Sequence, residues 1–153
     1  RFFLEFTVDE SCGKCTPCRI GNKRLYEILT KICEGKGTPD MIAQLKELGQ
    51  VIKDTSLCGL GQTSPNPVLS TLESFAEEYE AHVFEHRCPA AVCSALLSYT
   101  INDKCIGCGI CAKHCPVSCI SGSPRVRHHI DQSKCIKCGV CMQNCKFAAI
   151  DKK

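Results

Sequence analysis

Apolar and polar positions alternate with helical spacing over residues 13 to 83. Leu25, Ile28, Leu29 and Ile32 follow the i, i+3, i+4, i+7 rule of a single helix face. Gly35 and Gly37 end that helix. Thr38 then offers an N-cap oxygen, with Pro39 at the first helical position of the next helix. Met41, Ile42, Leu45, Leu48 and Ile52 make a second stripe. Asn66 followed by Pro67 is a further start signal, and Val68, Leu72, Phe75, Tyr79 and Val83 make a third stripe. Three amphipathic helices with short connections predict a small helical bundle over residues 1–83.

The pattern changes after residue 83. Residues 84–100 form a connector that contains Cys88, Pro89 and Cys93. Residues 101–153 read as two similar halves, offset so that Cys105 corresponds to Cys135. Each half has a short strand-like lead ("YTIND", "RHHIDQS"), a cysteine loop, a short helix and a strand-like exit ("SCIS", "AAID"). The expected fold class is therefore α+β: a helical bundle followed by a small two-half domain.

Composition sharpens this picture through cysteine, which occupies 16 of 153 positions. That abundance fits either a secreted disulfide scaffold or bound metal. No apolar run is long enough for a signal peptide or a membrane span. The cysteines also stand two residues apart in triples, which favours metal-bound thiolates in a reducing, cytoplasmic compartment. The chain opens "RFFLEFTVDE" without Met, so we expect the C-terminal part of a longer polypeptide. The net charge of +3 comes from scattered Lys and Arg with few aromatics, which gives no footprint for nucleic acid. "EEYE" reads as a solvated helix face. "RVRHH" at residues 125–129 reads as a solvated turn and strand or, more sharply, as a docking surface for an acidic partner.

Cys105, Cys108, Cys111 and Cys115 follow C-x2-C-x2-C-x3-C-P, the run of bacterial two-cluster ferredoxins, in which the fourth cysteine ligates the other cluster. A C-x2-C-x2-C loop wraps one corner of a cube and cannot easily curl back to the fourth iron. The fourth thiolate is expected from the start of the helix in the opposite half. This assigns Cys105, Cys108, Cys111 and Cys145 to one [4Fe–4S] cluster, and Cys135, Cys138, Cys141 and Cys115 to another. Gly107, Gly109 and Gly139 permit the tight loops and the approach of backbone N–H groups to sulfur. A zinc ribbon is the competing reading, but it uses two CxxC pairs and needs only four thiolates. Lys146 stands where the pattern expects proline. It should loosen that turn slightly and raise the potential of the cluster held by Cys145. Cys119 is surplus to ligation and suits a packed small hydrophobe in the exit strand.

A third triple, Cys12, Cys15 and Cys18, lies in "ESCGKCTPCR", and Cys58 follows in "SLCGLGQTSPNP". With Gly13, Pro17 and Arg19, these residues resemble the C-terminal iron–sulfur domain of the NADH-binding flavoprotein subunit of respiratory complex I. The resemblance covers roughly residues 1–83. It implies that Cys12, Cys15, Cys18 and Cys58 hold one further [4Fe–4S] cluster. Two antiparallel helices of similar length would bring the first loop and Cys58 together. "CGLGQ" follows a helix rather than a strand, so it reads as a loop and not as a dinucleotide fingerprint.

A bundle of this type continued into a two-cluster ferredoxin module is similar to the beta subunit of NAD(P)-linked, often electron-bifurcating, [FeFe] hydrogenases. Related subunits occur in NAD-linked formate dehydrogenases and other flavin-based oxidoreductases. The resemblance implies a part of an oxidoreductase that carries electrons through three clusters and holds no catalytic residue of its own. FMN and NAD(P) would be bound in a preceding part of the protein. The implied partners are the catalytic [FeFe] subunit, a thioredoxin-like 2Fe–2S subunit and a ferredoxin. Three oxidised cubes with their thiolates, each of about −2, would carry the net charge from +3 to about −3.

Four cysteines remain: Cys33, Cys88, Cys93 and Cys119. Within "AHVFEHRCPAAVC", one imidazole and two thiolates could converge on zinc, with His82 better spaced than His86. His82, Cys88, Cys93 and Cys33 are the candidate ligands, and such a site would pin the second domain to the bundle as a hinge. The alternative is buried thiols and solvated histidines. A zinc-binding scaffold without redox function is the remaining reading from a different functional class.

Overall fold

The computed structural model describes residues 1–152, which divide into two compact units, the first ending at Pro89 and the second beginning at Ala90. The first unit is helical. Helix α1 (Phe2–Glu10) precedes the first cysteine loop, and a π-helical turn at Pro17–Gly21 runs directly into α2 (Asn22–Cys33). Then follow α3 (Pro39–Thr55), the single turn α4 (Gly59–Thr63), α5 (Asn66–Ser74) and α6 (Ala76–Phe84).

The stripes of α2 and α3 form the core expected of them. Leu25, Leu45 and Ile52 are fully buried, and Leu29 and Ile32 pack beside them. Burying each such side chain is worth about 1.5–3 kcal/mol. Helix α1, outside the predicted stripes, adds Leu4 to the same core, and its Glu5 accepts a hydrogen bond from the Tyr26 hydroxyl at 3.3 Å. Gly35, at φ +73°, follows the end of α2 as expected. Thr38 occupies the N-cap of α3, but its hydroxyl makes no capping bond. Its backbone carbonyl instead accepts from the Met41 N–H at 2.9 Å.

Three expectations need correction here. The third stripe is two helices, broken at Phe75, whose backbone leaves the helical region at φ −134°, ψ 39°. The break turns Phe75 outward to 54 % exposure, while Val68 and Val83 stay buried. The Thr71 hydroxyl donates back to the Pro67 carbonyl at 2.7 Å, a bond of the kind that bends helices. "CGLGQ" is also not a plain loop, because Gly59 opens the helical turn α4. The fourth cysteines of the second unit, finally, follow their helical turns rather than start them.

The second unit contains β1 (Tyr99–Ile101), α7 (Ile110–Lys113), β2 (Ile120–Ser121), β3 (His129–Ile130), α8 (Val140–Gln143) and β4 (Ile150–Lys152). Both sheets are antiparallel pairs. β1 pairs with β4, setting Ile101 opposite Ile150, and β2 pairs with β3, setting Ile120 opposite Ile130. The lead strand of the first half thus pairs with the exit strand of the second. These four isoleucines are buried together with Tyr99, Cys111, Cys119 and Cys141. The core is therefore built around sulfur from both halves.

The two halves close their exits with the same turn. The Ser118 N–H donates to the Cys115 carbonyl at 3.2 Å, and the Ala148 N–H to the Cys145 carbonyl at 3.3 Å. Ser118 and Ala148 share a left-handed φ of 49° and 46°. Pro116 in one half and Lys146 in the other thus sit in the same kind of turn.

Candidate metal centres

In the first unit, Cys12, Cys15 and Cys18 lie between α1 and the start of α2. The loop is fastened at its neck. Arg19 donates from its backbone N–H to the Cys15 carbonyl at 3.0 Å and from its guanidinium to the Gly13 carbonyl at 3.1 Å. Helix α3 runs back from the far end of α2, so that Ser56, Leu57 and Cys58 arrive at this loop. The Leu57 N–H, foremost among several backbone donors, holds the Cys15 thiol below its ordinary pKa. Cys58 occupies the N-cap of α4.

Close packing here depends on Gly61. A Cβ at that position would lie 2.5 Å from Ser56 Oγ and 3.1 Å from the Cβ of Cys18. Cys18 is buried, and its sulfur lies 3.4 Å from both Ser11 Oγ and Asn22 Nδ2. The Ser56 hydroxyl is buried without a hydrogen-bond partner. Orphaned hydroxyls are rare in folded interiors. A polyanionic iron–sulfur cube beside Cys18 is the acceptor that this hydroxyl and the surrounding N–H groups fit.

In the second unit, Cys105, Cys108, Cys111 and Cys145 line one cavity, with Ile101 and Ile150 in its wall. Cys135, Cys138, Cys141 and Cys115 line another, walled by Ile120 and Ile130. Each cavity thus takes the loop triple of one half and the fourth-position cysteine of the other, and Cys119 also lines the second. Backbone N–H groups reach three of these sulfurs at 3.4 Å: Lys137 to Cys135, Ala149 to Cys145 and Cys119 to Cys115. Burial pushes the Cys111 and Cys141 thiols up in pKa. For Cys115, burial also pushes upward, but the N–H groups of Cys119, Val117 and Ser118 outweigh it and lower the pKa. The Cys119 thiol is pushed up to about 12, first by burial and then by its bond with Cys115, whose sulfur is 3.4 Å away. It therefore stays a neutral S–H packed in the core.

Two cavity residues were not singled out by the sequence. Tyr99 lines the second cavity, and its hydroxyl lies 3.0 Å from where a Gly139 Cβ would stand. Burial, and then the nearby Cys141, Cys138 and Cys135 thiols, raise its pKa. His128 lines the first cavity and is 5 % exposed. The "RVRHH" patch is thus partly internal. Arg127 stays exposed, pairing with Asp103 at 2.6 Å and donating to the Ile101 carbonyl.

His82 and Cys88 of the first unit present ligand atoms within 4.8 Å of each other, and Cys93 stands in the second unit, ahead of a short helical turn. His82 Nδ1 is 2.6 Å from the Glu78 carbonyl. A carbonyl only accepts, so Nδ1 carries the proton and the lone pair sits on Nε2. This is the arrangement of a metal-ligating histidine, oriented by a carbonyl on its other nitrogen. Cys33, named with these residues above, is not in this group, although it lines a groove with His82. His86 is likewise outside the group and has a left-handed φ of 48°.

Comparison with known proteins follows the same division. Residues 1–82 match the family described as the NADH-ubiquinone oxidoreductase-F iron–sulfur binding region, and residues 104–149 match the 4Fe–4S dicluster domain. The chain is 64 % identical over 129 residues to NADP-reducing hydrogenase subunit HndC of Solidesulfovibrio fructosivorans, covering 84 % of this chain and 26 % of that subunit. It is 40 % identical over 89 residues to the NAD-reducing hydrogenase HoxS subunit alpha of Cupriavidus necator, covering 58 % of this chain and 15 % of that subunit. It is 40 % identical over 68 residues to the NADP(+)-dependent formate dehydrogenase subunit beta of Moorella thermoacetica, covering 44 % of this chain and 10 % of that subunit. The chain thus spans about a quarter or less of the length of these relatives.

Proposed function

The chain belongs to the NADH-ubiquinone oxidoreductase-F iron–sulfur binding family, and on that premise we propose that it is the electron-carrying part of an NAD(P)-linked hydrogenase subunit. Three [4Fe–4S] clusters would be held by Cys12, Cys15, Cys18 and Cys58; by Cys105, Cys108, Cys111 and Cys145; and by Cys135, Cys138, Cys141 and Cys115. The observation that carries the reading is the pair of cavities in the second unit, each lined by the four cysteines of one crossed set. Bound clusters would accept and release one electron at a time. The chain's own part is to exclude water with the isoleucine walls, to supply thiolates, and to aim N–H groups at sulfur so that added negative charge is tolerated.

The flavin and nicotinamide sites would lie in another part of the protein, and electrons would pass between them and partner subunits, a catalytic [FeFe] subunit among them. Bifurcation would require the flavin to split an electron pair between this wire and a second acceptor. Among the described residues no helix is long and apolar enough to cross a membrane. A structural zinc ion on His82 Nε2, Cys88 and Cys93 would complete the metal inventory.

The matching subunit of a formate dehydrogenase is the second reading, supported by the Moorella relative. The longer and closer match to HndC favours hydrogenase. Strictly anaerobic purification followed by iron, sulfide and zinc analysis tests the clusters. Twelve irons per chain and three reduced-state EPR components are expected of three four-iron cubes. Iron near zero with abundant zinc would replace this reading with the scaffold. Identification of the co-purifying subunits separates hydrogenase from formate dehydrogenase.

A further inference from the structure

Asn22 is the one fully buried polar side chain of the first unit among the described residues. It opens α2, four positions after Cys18, and its backbone N–H donates to the Cys18 carbonyl through the π-helical turn. Its side chain reaches the same residue, with Nδ2 lying 3.4 Å from Cys18 Sγ. On the other side, the Ser64 hydroxyl lies 2.8 Å from Asn22 Oδ1 and 3.0 Å from the Gly61 carbonyl. Asparagine is a poor helix former and costly to bury, so an apolar residue would serve packing better.

The chemistry of the partners fixes which way the carboxamide points. A metal-bound thiolate only accepts, so the amide must turn its NH2 toward Cys18. Its oxygen then faces Ser64, which has one proton to give and shares it between Asn22 and Gly61. Every polar atom in this chain of contacts is satisfied in that arrangement and in no flipped one. Gly61 is the floor of the arrangement: its carbonyl takes part of the Ser64 proton, and a Cβ there would stand 3.1 Å from the Cys18 Cβ.

We propose that Asn22 is a positioning residue for the cluster of the first unit: its side-chain N–H, locked by Ser64, donates to the Cys18 sulfur and raises that cluster's reduction potential. This rests on the reading of Cys12, Cys15, Cys18 and Cys58 as cluster ligands. The direction follows from charge. Reduction adds an electron to the cube and its thiolates, and a fixed N–H dipole stabilises the more negative state.

The test uses the full chain, reconstituted with iron and sulfide without oxygen. The EPR component lost in Cys58→Ser identifies the relevant cluster, and the two clusters of the second unit serve as internal controls. In Asn22→Leu, iron content should be unchanged, and the reduced-to-oxidised ratio of this cluster at a fixed poise should fall at least threefold. A tenfold fall would equal about 59 mV for one electron. Asn22→Asp, which presents an acceptor to the thiolate, should fall further than Asn22→Leu. Ser64→Ala, which frees the amide to turn, should move the same way by less. Unchanged potential in the iron-replete leucine and aspartate variants would overturn the proposal. If neither assembles the cluster, Ser64→Ala decides, and an unmoved potential there overturns it. Absence of any EPR component sensitive to Cys58→Ser in the unaltered chain would instead sink the ligand assignment beneath it.

Discussion

Cys111 and Cys145 line the same cavity although they belong to opposite halves of the second unit. The antiparallel pairing of β1 with β4, which sets Ile101 against Ile150, draws those halves together. Neither half could complete its cavity alone. Removing Cys145 should therefore empty the site whose other three thiols lie in the first half. In Cys145→Ser, iron per chain should fall by about a third, and the lost EPR component should be the one also lost in Cys105→Ser. Loss of the component shared with Cys135→Ser would mean that each half binds its own cluster.

Gly107 is held at φ +68°, and a Cβ there would lie 2.4 Å from the Val126 N atom and 2.6 Å from the Arg125 N atom. Both obstacles are backbone, so no side chain can swing aside. Gly107→Ala should cost about 1–3 kcal/mol from backbone strain alone, with the cavity of Cys105 distorted in addition. A thermal melt lowered by several degrees and a selective loss of that cluster are expected. Gly59→Ala, with open space around its Cβ, is the control and should melt like the parent.

Leu45 is fully buried in the core of the first unit. Leu45→Ala should destabilise that unit by about 2–5 kcal/mol, the range for emptying a buried leucine. Differential scanning calorimetry would show the transition of the first unit moving, with that of the second unit in place.

If His82 Nε2 binds zinc, His82→Ala should release it and leave iron unchanged. Metal analysis of the anaerobic protein reads both at once. His86→Ala, outside the group, should keep the zinc. Zinc unchanged in both variants would remove histidine from the site.

Lys146 and Pro116 sit in turns closed by the same hydrogen bond and left-handed residue, so exchanging one for the other tests charge against a like backbone. Lys146 is exposed. A unit charge near 4 Å in water is worth about 1 kcal/mol, which corresponds to at most about 40 mV. Lys146→Pro should lower the potential of the Cys145 cluster by no more than that, and by less at high salt.

Much of this architecture was legible because cysteine spacing is written locally. Cysteine triples with fixed gaps specify a loop, and a half-repeat specifies a partner loop. The stripes around Leu25 and Leu45 were legible for the same reason, since one period accounts for a whole face. The break at Phe75 was not. No glycine or proline marks it, and the decisive bond, from Thr71 back to the Pro67 carbonyl, uses a residue that also tolerates a straight helix. Asn22 and Ser64 were invisible because their relation is made by folding and spans 42 positions. Tyr99 was counted as part of a strand, and its place beside three thiols emerges only when β1 meets β4.

The pairing of Tyr99 with Lys152 makes neighbours of the first and last strands of the second unit. A module entered and left at one seam can be spliced into a host protein like a cassette, because the host need only open a single gap. The same seam makes the unit a natural subject for circular permutation: β4 could be joined to β1 and new ends cut between Ser123 and Pro124, both exposed, with the cysteines of both loops still in order around their cavities.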